Sequence, residues 1–229
     1  MTSRLEFQNE SGEGSTVQHV TFMEWLSGLK ARGSNLLVTG EVPKETSAEF
    51  SRTLFGQGER TRILGLINPT TMDAESYLPG TSNRPETQVI DQRPEYRAAT
   101  ADDSTAARPT DIDRESFRSA LVSAIEVHND RNGGFEPAEL RLGLDSVEVL
   151  EMNDDLVSLT QFLRGITALV RGVNGMAHYH LRVPDDDPMV DELSPLFDAR
   201  IELRKRPGRA EQRWHVPTLD ETTDWVELS

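Results

Sequence analysis

The sequence predicts an α/β protein with a mainly parallel sheet, helices on both faces and an antiparallel hairpin at the C-terminal end. Three observations carry this. Short apolar runs alternate along the chain with segments of helical period, the order that builds parallel sheets through helical crossovers. The runs are compact and nearly continuous, as in Leu36-Leu37-Val38, which suits strands buried on both faces. The last two strand-like segments, "ARIELRKR" and "EQRWHV", flank Pro207-Gly208, a turn signal.

The elements follow in order. Residues 1–20 are polar and rich in Gly, Ser and Glu and read as a mobile tail. Phe22, Trp25, Leu26 and Leu29 recur at helical spacing, with Thr21 as a cap and Gly33 as a stop. Residues 36–38 form the first strand. Ala48, Phe50, Leu54 and Phe55 predict a helix ending near Gly56, and "TRILGLIN" and "TQVIDQR" predict the next two strands. Between those strands lies a loop with one helical turn around Ala74 to Leu78. Residues 94–111 read as a long exposed loop. Asp113 or Asp111 then caps a helix carrying Phe117, Ala120, Leu121, Ala124, Ile125 and His128 on one face, and "NDRNGG" ends it. "AELRLGLDSVEVL" supplies a strand through Leu140, Leu142 and Leu144 into Asp145-Ser146. A long helix spans 154–173 and stops at Asn174-Gly175. "MAHYHLRV" is a strand, "PMVDELSPLF" a short helix, and the hairpin completes a single domain over 21–217. Residues 218–229 read as an acidic tail with Trp225 docking back.

Charge narrows the function classes. Of 229 residues, 39 are acidic and 24 basic, a net charge of −15, and only Lys30, Lys44 and Lys205 are lysines. An acid-rich, lysine-poor chain is expected of a protein working at molar salt, where the Debye length is about 3 Å and crowded carboxylates repel little. With no cysteine there are no disulfides and no thiolate metal sites. No apolar run spans a bilayer and no secretory signal is seen, so the expectation is a cytoplasmic protein without a membrane partner. So negative a chain is not expected to bind nucleic acid.

Ligands of parallel α/β sheets bind at the carboxyl ends of the strands. The segment leaving the first strand, "NLLVTGEVPKETSAEF", has the layout of a phosphate-binding loop. Such a loop needs G-x-x-x-x-G-K-[ST], whose glycines turn N–H groups inward while the lysine neutralises phosphate and the hydroxyl holds Mg²⁺. Aligned on Gly40, the chain keeps that glycine and the final Ser47. Glu45 replaces the second glycine, Thr46 replaces the lysine, and Pro43 removes one donor. Losing one charged hydrogen bond weakens binding by about 1.5–3 kcal/mol, and Glu41 and Glu45 add repulsion. Lys44 is displaced by two residues.

"LRLGLDSVEVL" resembles the Walker B strand of the RecA/KaiC superfamily, an apolar strand ending in Asp-Ser. The final "LSPLFDARIELRKRPGRAEQRWHV" is similar to the closing strands of KaiC-like domains. From Phe22 to Val216, through "GSNLLVTGEVP", "AELRLGLDS", "VRGVNGMAHYHLRVPDDD" and "SPLFDARIELR", the chain resembles a family of RecA/KaiC-like proteins of unknown function from halophilic archaea. The resemblance implies a three-layer P-loop fold with a vestigial nucleotide pocket at Gly40, Lys44, Ser47, Asp145 and Ser146. KaiC-like ATPases are expected to place a catalytic glutamate just after the second strand, where this chain reads Asn68-Pro69-Thr70.

Other residues carry weaker signals. His178 and His180 alternate on one strand and share a face, as a metal pair would, with His215 or an acidic residue as a third ligand. The bland reading is a pair of satisfied histidines. Asp185-Asp186-Asp187 lacks the glycine of a calcium loop and reads as a surface turn. Ser47, Ser146 and Ser194 have no nucleophile-elbow context. Arg200, Arg204, Arg206, Arg209 and Arg213 make the hairpin locally basic, either as a surface for an acidic partner or a second copy, or as a solvated hairpin with internal ion pairs. The sequence therefore leads to a non-catalytic regulatory or signalling protein that uses no cofactor and binds other proteins or itself. The alternatives are a divergent ATPase using Lys44, Asp145 and ATP–Mg²⁺, and a scaffold for cell shape or motility.

Overall fold

In a computed structural model, which describes residues 14–68, 72–80, 86–93, 113–150 and 156–228, one sheet organises the chain. Its strands are β1 (Ser34–Thr39), β2 (Thr61–Leu66), β3 (Thr87–Asp91), β4 (Leu140–Asp145), β5 (Met176–Leu181), β6 (Ala199–Arg206), β7 (Arg209–Val216), β8 (Glu221–Thr222) and β9 (Val226–Glu227). The spatial order is β3-β2-β4-β5-β1-β6-β7-β8, with β9 also on β7. Strands β1 to β6 run parallel, and β7 returns antiparallel to β6 through Pro207-Gly208. The sheet is thus mostly parallel with a C-terminal hairpin, as the patterning predicts.

Burial explains the strand sequences. Every residue of β1, β2, β4 and β5 is buried, so these strands carry apolar side chains on both faces. Strand β6 alternates buried and half-buried positions along most of its length, because one of its faces is covered less. Helices α4 (Arg114–Asn132), α5 (Leu156–Gly172) and α6 (Pro188–Leu193) contribute to one continuous core with Leu37, Ile63, Leu142, Leu144 and Tyr179. Helices α1 (Gly14–Arg32), α2 (Lys44–Phe55) and α3 (Ala74–Tyr77) belong to the other face. There the core is split in two: one cluster joins Phe22, Leu36, Val38, Phe50, Ile201 and Trp214, the other Ala48, Phe55, Leu64, Leu66 and Tyr77.

Local signals act as expected at several ends. The Asp113 side chain accepts from the Ser116 N–H at 3.0 Å and caps α4, and Gly133 closes it in the left-handed region. The buried Asn35 is satisfied across the core: its Nδ2 donates to Thr167 O and its Oδ1 accepts from Tyr179. Among the described residues no helix is long and apolar enough to cross a membrane.

The ends of the domain differ from the sequence reading. Helix α1 begins at Gly14, inside the stretch read as a tail. The residues read as an acidic C-terminal tail instead add β8 and β9 to the edge of β7, where unpaired strand groups need partners. Trp225 does dock back, its ring lying under the guanidinium groups of Arg204 and Arg213 at 3.7 and 4.6 Å. The loop expected over 94–111 lies outside the described residues.

Gly40 is the tightest point between the first strand and the hairpin. Its φ is +114°, and a Cβ there would run into the carbonyl oxygen of Leu203 on β6. Gly58 also has a positive φ, +84°, but has open space around it. Gly40→Ala is expected to destabilise the fold by about 2–3 kcal/mol. Gly58→Ala should cost about 1 kcal/mol, from backbone strain alone. Denaturant melts of both variants in molar salt check the difference.

Candidate functional site

The turn after β1 is shorter than a phosphate loop. Helix α2 begins at Lys44, four residues ahead of its first apolar position, so only Gly40 to Pro43 connect strand and helix. Pro43 stands at the N-cap with its φ fixed by the ring and no N–H of its own. Pro43 O then accepts from the Thr46 and Ser47 N–H groups. Val42 is buried in the cluster with Phe50 and Leu203 and turns the connection toward the core. Gly40 donates its N–H to Val183 O at 3.1 Å. Lys44 and Glu45, with Glu41, are exposed, whereas Ser47 is buried. The turn thus directs donors into the protein and presents carboxylates to solvent.

Asp145 ends β4 and is buried. The Tyr77 hydroxyl donates to its Oδ2, and the peptide joining Asp145 to Ser146 is cis. Burial, then the Asp145 charge, raises the Tyr77 pKa, so the phenol keeps its proton. Among the described residues Asp145 Oδ1 has no hydrogen-bond partner. Ser146 is buried, and its hydroxyl accepts from Asn68 Nδ2 at 3.4 Å. Asn68 follows β2 where the resemblance expects a catalytic glutamate, and Pro69 and Thr70 lie outside the described residues.

A polar seam separates the two apolar clusters on this face. His178 and His180 point into it from β5, as their spacing predicts. The Ser51 hydroxyl lies 2.6 Å from His178 Nε2, and Phe55 packs edge-on against that ring. Gly143 makes room, since a Cβ there would sit 2.7 Å from both His178 Nε2 and the Phe55 ring. Burial drives both histidine pKa values down, His180 to about 4 against the opposing pull of Asp145. Both imidazoles are therefore neutral at pH 7. His215 is not joined to them: it lies on β7, three strands from β5.

His215 instead belongs to an ion-pair network on the other face of the hairpin. Arg200 pairs with Asp185, Arg213 and His215 with Glu202, and Arg204 and Arg209 with Glu211. Thr39 also donates to Asp185, at 2.6 Å. Asp185, Glu202 and His215 bring ligand atoms within 4.8 Å of one another, but two guanidinium groups already neutralise the carboxylates. Of the five arginines, Arg206 alone has no ion pair among the described residues. The aspartate triplet divides its work: Asp187 caps α6 by accepting from Met189 N, while Asp185 holds Arg200. Sequence reading missed Tyr77, Ser51 and Val42. Tyr77 had one usable signal, its place in the helical turn after β2 at the carboxyl end of the sheet.

Fold and site together define a mixed α/β protein with a mostly parallel central sheet and a shortened, acidic turn after its first strand. Residues 33–203 match a family of unknown function (DUF7504), and the chain belongs to that family. No curated protein matches the sequence.

The buried neutral His180 gives a pH dependence with a definite sign. Its ordinary pKa is 6.5 and its folded value about 4, so between those pH values the unfolded chain binds a proton that the folded one excludes. Stability is complete above pH 6.5 and falls as pH drops toward 4, by up to about 3 kcal/mol from this residue. His178 acts in the same direction. Denaturant titrations from pH 7.5 to 4 should show a smaller loss in His180→Gln than in the wild type.

Proposed function

We propose that this chain is a RecA/KaiC-like domain without catalytic activity, which acts in signalling or regulation by binding other proteins or its own copies in the cytoplasm of a halophilic archaeon. The observation that carries the reading is the connection from β1 to α2. It is too short to wrap a phosphate, buries Val42 at its centre, and places Glu41 and Glu45 on the solvent side. The carboxylate available to position Mg²⁺ already accepts a hydrogen bond from Tyr77. The sheet order also supports the reading, with β1 and the Asp145 strand β4 flanking β5 near the centre of a mostly parallel sheet.

A divergent ATPase would need Lys44 and Asp145 on one phosphate chain. Lys44 is exposed on the first turn of α2, while Asp145 is 1% exposed at the end of β4. That separation favours the non-catalytic reading. The basic hairpin is a smaller partner surface than its composition suggests, since its arginines are largely committed to internal pairs. Its exposed tip still offers Lys205 and Arg206 to an acidic partner.

Isothermal titration with ATP and Mg²⁺ in molar salt is expected to show no saturable heat up to about 1 mM, a free energy of about −4 kcal/mol. Phosphate release should match the buffer. Micromolar binding or measurable turnover would overturn the proposal. Affinity capture from cell extract in molar salt checks the other half. A reproducible stoichiometric partner or self-association supports it; a monomer that retains no partner counts against it.

A further inference from the structure

The polar seam holds three buried atoms that make no hydrogen bond to any described residue: Ser47 Oγ, Asp145 Oδ1 and His180 Nε2. Each residue is 1% exposed. Buried polar atoms are nearly always satisfied, so three in one seam point to something the protein holds there.

The three residues share one level of the fold. Asp145 and His180 are register partners on adjacent parallel strands, so their side chains leave the same face. Ser51 fixes the level of the helix, its hydroxyl 2.6 Å from His178 Nε2. From His178 to His180 is two residues along β5, about 6.6 Å. From Ser51 back to Ser47 is four residues of a helix running the opposite way, about 6 Å. Ser47 therefore lies at the level of His180, one turn of α2 above the level at which Ser51 meets His178. The two imidazole rings are 5.6 Å apart, and Ser51 already engages His178.

The donor set selects the ligand. A water would satisfy the polarity but leave a buried carboxylate without a counter-charge. Arg182 is near enough to be felt at Tyr77 and His180, yet its buried Nε makes no hydrogen bond to Asp145 or to any other described residue. A dication meets a carboxylate oxygen, an imidazole nitrogen and a hydroxyl oxygen together. The nitrogen argues against Mg²⁺, which prefers oxygen ligands, and for a metal of the zinc type. We propose that Asp145, His180 and Ser47 form a binding site for a Zn²⁺-class metal ion, held without nucleotide, with Tyr77 orienting the carboxylate through Oδ2. Of the His178–His180 pair, one imidazole is a ligand and the other a partner of Ser51. The Tyr77 hydrogen bond acts as the outer contact that fixes a ligand's orientation.

The test uses the full chain, freed of metal by a chelator and titrated with Co²⁺ and Zn²⁺ in molar salt. Co²⁺ is expected to give one saturable visible spectrum that Zn²⁺ displaces and Mg²⁺ does not. His180→Gln and Asp145→Asn should lose it, while His215→Gln keeps it. Histidine ¹⁵N spectra of the wild type provide a readout that needs no variant: Zn²⁺ should move the His180 nitrogen signals and leave His215 in place. The proposal is overturned if the wild type shows no saturable spectrum, if Mg²⁺ displaces Co²⁺ equally, if His180→Gln retains binding, or if Zn²⁺ moves His215 instead of His180.

Discussion

Asp145 places a carboxylate inside the protein at the carboxyl end of β4, and the seam around it follows from that constraint. Tyr77 supplies one hydrogen bond to Oδ2 from the short helix after β2. Keeping a hydroxyl at that point brings α3 over the end of the sheet and closes the space above β2 and β4. Leu78, beside Tyr77, is buried with Leu64 and Leu66 beneath it. A polar contact and an apolar one therefore hold the same four-residue helix, which alone is far too short to be stable. The two apolar clusters on this face stay separate because the seam between them is polar. On the opposite face the buried Asn35 is satisfied within the core, by Thr167 and Tyr179, and the apolar residues pack as one continuous cluster.

The second constraint lies at Gly40. The backbone passes so close to Leu203 that only glycine fits, so the first strand and the hairpin strand β6 meet without a side chain between them. That approach ties the turn after β1 to the part of the sheet that the hairpin extends. Val42 then inserts beside Leu203, and Pro43 starts α2 at once. A longer, glycine-rich loop would have to leave this packing to wrap a phosphate. The replacements at Pro43, Glu45 and Thr46 thus belong to a turn with a packing role of its own.

Much of the architecture was legible in the sequence because buried parallel strands leave a plain mark. Leu36-Leu37-Val38 and Leu140-x-Leu142-x-Leu144 are placed where their patterns put them, and Asp113 and Gly133 bound their helix by standard capping. What was not legible depends on distance along the chain. The start of α2 at Lys44 was hidden because its first turn is polar, and those residues align with a motif that would make them loop. Strands β8 and β9 have two residues each, too few for any period to appear. The Tyr77–Asp145 contact joins residues 68 positions apart, and Ser51–His178 joins residues 127 apart. Residue types suggested the histidine pair, but only the register of α2 on β5 separates the imidazole that is engaged from the one that is not.

The same distinction between exposed and enclosed charge governs how an acid-rich chain stays folded. Exposed carboxylates such as Glu41 and Glu45 repel one another at low salt and are screened at high salt. The hairpin is different. Glu202 and Asp185 are partly buried and meet guanidinium groups directly, and Trp225 covers Arg204 and Arg213. Pairs withdrawn from solvent are screened much less than exposed ones, and arginine suits such sites because its planar group both pairs and stacks. Raising the salt should therefore relieve the repulsion while leaving this network mostly intact. That asymmetry gives a physical reason for a chain with three lysines to concentrate five arginines on one hairpin: there they join β6, β7 and the C-terminal strands.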